Sequence, residues 1–273
     1  MNHLVRAGVA LAALALPVSP LSAQHQHHGA HHAPAPASPV AAAVASPDRT
    51  SANVTRDRYR HPAETLAFFG VTPEQTVVEY SPSGGWYSEI LAPLLRDKGR
   101  FYALQPGGTY LERYKTFLAT KPQLYDKVTL VTFPEETAKI PAGSVDTVLT
   151  FRNIHNLVMS GKGEASFKAF YDLLKPGGTL GIVDHRLPEG RDGATEKTSG
   201  YVKVSTVKRL AAQAGFEFVG ESAINANPRD TADWPKGVWT LPPTLREGET
   251  DKAKYLAIGE SDRMTLKFRK PLN

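Results

Sequence analysis

The chain has 273 residues, with 32 Lys plus Arg against 27 Asp plus Glu, nine His and no Cys. That length can bury one sizeable core, and 41% hydrophobic with 22% charged residues exclude wholesale disorder. The missing cysteines exclude disulfides, a thiolate zinc site and a cysteine nucleophile, and the net charge of +5 is too dispersed for a nucleic-acid track.

In chain order, Met1–Arg6 is positively charged, Ala7–Leu16 runs apolar, and Pro17–Ala23 ends in small residues. This is the layout of a secretory signal peptide over 1–23, and it predicts a periplasmic or secreted protein. An uncleaved anchor is the competing reading, but the apolar run is shorter than the roughly 20 residues a membrane span needs. No later segment approaches that length, so no span is expected after cleavage. Gln24–His32 holds His25, His27, His28, His31 and His32, five of the nine histidines. Imidazole suits Zn, Cu and Ni, so this tract is expected to chelate a transition-metal ion loosely, without forming a structural centre. From Ala33 the composition turns to Ala, Pro, Ser and Val. The whole of 24–55 therefore reads as a flexible linker, ahead of a folded domain over 56–273.

The first predicted helix lies within His61–Gly70, with Pro62 at its start and Gly70 at its end. Thr76–Tyr80 is a buried strand. Trp86, Ile90, Leu91, Leu94 and Leu95 then recur at helical spacing. Gly99–Leu104 and Val128–Thr132 are strands flanking a helix over Tyr110–Ala119, and Asp146–Phe151 is a fourth strand. Phe167, Phe170, Tyr171 and Leu174 form one helical face, Lys175–Gly178 a turn, and Thr179–Asp184 a fifth strand. Val204–Ala214 is a helix closed by Gly215. Phe216–Val219 and Arg263–Phe268 are the last strands, separated by a long polar, Pro-rich excursion. This alternation predicts an α/β fold, a seven-stranded mostly parallel sheet with helices on both faces and an antiparallel edge strand. Ligands in such sheets bind at the carboxyl ends of the strands.

Three stretches resemble the class I S-adenosylmethionine-dependent methyltransferases: Thr76–Trp86 with its acidic residue and Gly84-Gly85, Gly143–Leu149, and Leu173–Leu180. The resemblance spans Arg56 to about Lys270 and implies a Rossmann-like sheet. More narrowly, Arg58–Thr65, Phe151–Asn156 and Ile258–Thr265 are similar to a bacterial group of exported, predicted methyltransferases. The family's first and second loop glycines fall on Ser81 and Ser83, and the acidic residue that ends its second strand falls on Gln105. The resemblance implies S-adenosylmethionine as cofactor, held by Glu79, Ser81, Ser83, Gly84, Gly85 and Gln105.

His155 follows the fourth strand on the carboxyl edge and is the candidate base, since imidazole titrates near neutrality; the alternative is a histidine that organises its loop. Asp184 and His185 end the fifth strand, either tuning one another or capping the next loop. Arg58, Arg60 and His61 could clamp an anionic substrate or lie solvated. Tyr201, Trp86 and Tyr87 could wall a ligand or belong to the core, and the segment with Asp230, Trp234 and Trp239 reads as a lid or edge decoration.

The leading functional expectation is methyl transfer to a small-molecule acceptor. The alternative is a non-catalytic exported binding module with this fold and a metal-binding tail. A nicotinamide oxidoreductase ranks last, because the Gly-x-Gly-x-x-Gly fingerprint is absent.

Overall fold

The computed structural model describes residues 38–272. Its strands are β1 (Thr76–Tyr80), β2 (Arg100–Pro106), β3 (Thr129–Phe133), β4 (Val145–Phe151), β5 (Leu174–Leu187), β6 (Val202–Lys203), β7 (Glu217–Ser222) and β8 (Arg263–Arg269). The helices are α1 (Pro39–Val44), α2 (Ser51–Val54), α3 (Asp57–Arg60), α4 (Pro62–Phe69), α5 (Ser88–Leu95), α6 (Thr109–Thr120), α7 (Pro122–Tyr125), α8 (Ile154–Met159), α9 (Gly163–Leu173), α10 (Val204–Ala214) and α11 (Lys252–Ile258).

The strands lie in the order β3-β2-β1-β4-β5-β8-β7, with β6 paired to the far end of β5. β1 to β5 are mutually parallel, and β8 is inserted antiparallel between β5 and β7. The expected Rossmann-like architecture is present, and the two-residue β6 brings the seven strands to eight.

Burial on both faces accounts for the β-branched strand sequences. On one face, Leu66 and Phe69 of α4 and Ile90 and Leu91 of α5 pack with Val77, Leu149 and Val183. On the other, Phe167 and Phe170 of α9 and Val207 and Leu210 of α10 pack with Val78, Val148 and Ile182. Adjacent Val77 and Val78 thus serve opposite layers, as the two-residue side-chain period requires. Each such buried side chain contributes about 1.5–3 kcal/mol.

Two expectations are corrected. Lys175–Gly178 is an irregularity inside β5 instead of a turn before it: Val145 pairs with Leu174 and Thr147 with Thr179, so the intervening residues bulge. Gly177, at φ +79°, makes the bend, and its N–H donates to the Lys270 carbonyl at 2.9 Å. The second correction concerns the linker, because residues 38–55 are folded. Ser38 caps α1 by accepting from the Ala41 N–H, and Val40 is buried against the α4–α5 layer. Arg49 donates to both carboxylate oxygens of Asp57 at 2.6 and 2.8 Å, and its guanidinium lies 5.2 Å from the Trp86 ring centre. Composition hides these anchors, since a few scattered residues, among them Val40, Arg49 and Thr50 on Glu89, fasten the stretch. A chain beginning at residue 56 is therefore expected to be less stable than one beginning at 38 by about 2–4 kcal/mol. Urea denaturation measures this, and coincident midpoints would show that the segment adds nothing.

Candidate functional site

The connections that leave β1 and β4 pass to opposite faces of the sheet, which opens a crevice at their carboxyl ends. It holds a cavity of about 710 Å³, walled by Ser81–Gly84 after β1, Phe151–Asn153 after β4, and Trp239 and Arg246 from the Pro-rich excursion. Tyr87 and Phe151 stack in its wall with ring centres 3.5 Å apart.

Ser81 (φ +54°) and Ser83 (φ +55°) both hold left-handed backbone. That conformation costs a non-glycine residue on the order of 1–3 kcal/mol, and such strain concentrates at functional sites. The loop therefore follows a glycine-shaped path although serine occupies the positions. It is fastened from below: the Ser81 N–H donates to the Leu104 carbonyl at 2.8 Å, and the Ser83 N–H to Gln105 Oε1 at 3.0 Å. Asn153 Nδ2 donates to the Tyr80 and Ser81 carbonyls at 3.3 and 3.1 Å. A Cβ on Gly84 would meet nothing within 4 Å, whereas one on Gly85 (φ +77°) would stand 2.6 Å from the Phe117 ring.

Glu79, the last residue but one of β1, is almost fully buried, and its carboxyl accepts from Ser88 Oγ at 2.9 Å. Ser88 Oγ in turn accepts from the Tyr114 hydroxyl at 3.0 Å. Burial pushes the Glu79 pKa up to about 8, so the group is largely protonated at neutral pH.

His155 and Asp184 meet. Asp184, with no exposed surface, accepts from His155 Nδ1 at 2.8 Å and from the backbone N–H groups of His155 and His185 at 2.9 and 2.7 Å. This fixes the His155 ring with its proton on Nδ1 and leaves Nε2 as the basic nitrogen of a side chain that lines the cavity. His185 is held at both ring nitrogens. Arg152 Nε donates to His185 Nε2 at 3.3 Å, so Nδ1 carries the proton toward Ser261 Oγ. Burial first, then the Arg152 charge, hold its pKa well below the usual histidine value. Arg152 itself sits at φ +64°, a third strained residue on the same wall.

The donor atoms of His155, Asp184 and His185 lie within 4.8 Å of one another, a spacing that could suit a metal ion. The donor set does not fit one. Both His185 ring nitrogens are engaged, and a guanidinium stands where a cation would have to approach. A second ionic knot lies behind the wall: Glu260 accepts from Arg56 at 2.6 Å, Arg60 at 3.2 Å and Arg263 at 2.9 Å. These charges hold the Glu260 carboxyl, against its burial, down at about 2.

Of the residues singled out from sequence, Glu79, Ser81, Ser83, Gly84, His155, His185, Arg60, Trp86 and Tyr87 line one cavity. Gly85, Gln105 and Asp184 stand behind its wall. Gln105 is fully buried, with its carbonyl oxygen engaged by Ser83. Arg58 and His61 face a separate recess beside Asn225. Tyr201 is buried and donates to Asp230, which also accepts from Trp234 Nε1 at 2.7 Å, so this part of the excursion is fastened core. His25, His27, His28, His31 and His32, with the expected signal peptide, lie outside the described residues. Sequence reasoning placed Trp239 in a lid or edge segment and missed Arg246, Glu260 and Arg263 as site components. The closing Ile258–Thr265 segment was the available signal, and its Glu260, Ser261 and Arg263 brace the wall.

No family model matches the chain, and no curated protein matches it. Among solved structures it is similar to a SAM-dependent methyltransferase from Aquifex aeolicus, with TM-score 0.55 and 16% identity over 79% of this chain and 92% of that one. It is also similar to the [4+2]-cyclase SpnF, with TM-score 0.53 and 14% identity over 78% and 82%. A third is CrArsM, an arsenic(III) S-adenosylmethionine methyltransferase from Chlamydomonas reinhardtii, with TM-score 0.50 and 16% identity over 87% and 74%. These likenesses establish a methyltransferase-like fold. A cyclase among them illustrates that the fold does not set the reaction.

Proposed function

We propose that the chain binds S-adenosylmethionine in the cavity at the end of β1 and transfers its methyl group to a small-molecule acceptor. The observation that carries this reading is the left-handed backbone at Ser81 and Ser83. A strained loop of that shape keeps the close backbone approach for which this fold uses glycine, and Gly84 leaves open space beside it. A cavity of about 710 Å³ is in the range of cofactor sites.

When bound, the cofactor supplies a sulfonium methyl group to a nucleophile in a single in-line displacement. The chain's contribution is positioning and proton removal. Glu79, which lines the cavity, would meet the cofactor's amino group, and the Ser81–Gly84 backbone would hold its amino-acid end. His155 Nε2 takes the proton that the acceptor's oxygen, nitrogen or sulfur gives up, while Asp184 holds the ring and stabilises the imidazolium. Trp239, whose ring centre lies 6.3 Å from that of His155, closes the wall on the acceptor side.

Calorimetric titration of S-adenosylmethionine and S-adenosylhomocysteine into the protein tests this. Saturable micromolar binding is expected, and no heat at millimolar ligand would refute it. Gly85→Leu adds a side chain against Phe117 at positive φ, so binding should weaken by at least about 100-fold, with a loss of about 2–4 kcal/mol in stability. Unchanged affinity in that variant would place the cofactor elsewhere. The amino-terminal sequence adds the proposal that the reaction occurs outside the cytosol. Recovering cytosolic protein that still carries Met1–Ala23 would refute it.

A further inference from the structure

We infer that the methyl acceptor bears an oxyanion, a carboxylate or phosphate group, which docks on the guanidinium groups of Arg60 and Arg152 beside His155. The word acceptor rests on the transfer reading above; the anion site does not.

The first argument is charge. Arg56, Arg60, Arg113, Arg152, Lys162 and Arg246 line the cavity, and Glu79 is the one carboxyl group among the lining residues. With its pKa at about 8, Glu79 supplies little negative charge at neutral pH. The cavity is a concentrated positive field in low-dielectric surroundings, which favours an anion over a cation or a neutral molecule.

The second argument is unmet hydrogen bonding. Glu260 is shared by Arg56, Arg60 and Arg263, so one carboxylate answers three guanidinium groups. Arg60 is 5% exposed, and its Nη2 has no partner among the described residues, as is also true of Arg56 Nη2. A buried donor left unpaired costs on the order of 1–3 kcal/mol, more when charged. Arg60 is also fixed in plane, with its guanidinium 4.7 Å from the Trp86 ring centre, so its free edge has a set direction. Planar donors of this kind match the paired oxygens of a carboxylate or phosphate.

The third argument is placement. Arg152 uses Nε on His185, and its two terminal nitrogens make no hydrogen bond among the described residues. Its backbone is strained at φ +64° and pinned by its N–H to the Val183 carbonyl at 2.7 Å. The His155 and His185 rings are 5.1 Å apart, so an oxyanion on Arg152 lies within one small molecule's length of the proposed base.

The test is calorimetric titration of inorganic phosphate and of benzoate into the full chain, with and without S-adenosylhomocysteine, for wild type, Arg60→Met and Arg152→Gln. Saturable binding of at least one anion is expected, weakened about tenfold or more in each variant, with S-adenosylhomocysteine affinity held within about twofold. Arg152→Gln serves if Arg60→Met fails to fold, since Arg152 is not among the arginines hydrogen-bonded to Glu260. Parallel weakening of S-adenosylhomocysteine in both variants would overturn the inference, because the arginines would then serve the cofactor's own carboxylate. Cofactor binding without any anion binding would also overturn it and leave the transfer reading standing. Anion binding without cofactor binding would support it while the transfer reading falls.

Discussion

Replacing Asp184 by alanine is expected to destabilise the protein by about 3–5 kcal/mol, because it strips a fully buried carboxylate from three donors at once. Two of those donors are backbone N–H groups that cannot turn to water. Asp184→Asn keeps the shape but points an amide donor into the same cluster, so an intermediate loss is expected. The shift of the denaturation midpoint at constant slope gives the value directly. In variants that fold, the His155 ring loses its orienting acceptor, and the methyl transfer proposed above should fall by about 100-fold or more. A loss below about 1 kcal/mol in Asp184→Ala would mean that these hydrogen bonds are not made in solution.

Glu79→Gln should act in the opposite direction, and only at high pH. In the native state burial holds the Glu79 proton up to about 8, whereas the unfolded chain releases it near the ordinary 4.5. Between those values the unfolded state binds fewer protons, so wild-type stability falls as pH rises and levels off above 8. Glutamine can keep the Ser88 hydrogen bond and carries no titration. At pH 8 the variant should therefore be more stable than wild type by on the order of 4 kcal/mol, a gap that closes by about pH 4. Denaturation midpoints at the two pH values measure it, and parallel profiles would show that Glu79 is ionised in the fold. The same proton reports on ligand binding. An ammonium group placed beside Glu79 favours the carboxylate, so S-adenosylhomocysteine should release up to about one proton near pH 7. Calorimetric heats that depend on the buffer's ionisation enthalpy would reveal it.

The strands were legible because burial on both faces demands runs such as Thr76-Val77-Val78, and the helices because Phe167, Phe170 and Tyr171 repeat at helical spacing, although Leu174, expected on that face, opens β5. The site was legible in part. The carboxyl-edge rule located His155 and Asp184, and the family resemblance implied Glu79, Ser81 and Ser83, without showing what each touches. Asp184 reads as a strand-end carboxylate in sequence, and only the fold brings it onto the His155 ring. The resemblance implies Gln105 as a cofactor contact, whereas its amide oxygen accepts from the Ser83 N–H and braces the loop. The Ile258–Thr265 resemblance marked Glu260 without its partners, since Arg56 and Glu260 are 204 positions apart. Local pattern carries no trace of such a pairing. The folded stretch before residue 56 was hidden for the opposite reason, because its anchors are too few to change the composition.

The antiparallel insertion of β8 also fixes an order of assembly. Strands β5 and β7 each pair along their length with β8, and β7 has no other neighbour in the sheet. While a ribosome is still making the chain, the β5 edge stays open and β7 unpaired until Arg263–Arg269 emerges. Glu260, Ser261 and Arg263 arrive in that same late segment, so the wall behind His185 and Arg60 is also finished last. Long-range pairing of this kind is slow and leaves strand edges exposed to other chains. A nascent chain therefore presents β1 to β7 before the cavity wall can close, and Arg263–Arg269 brings the last core residues, Met264, Leu266 and Phe268, together with the strand that joins β5 to β7.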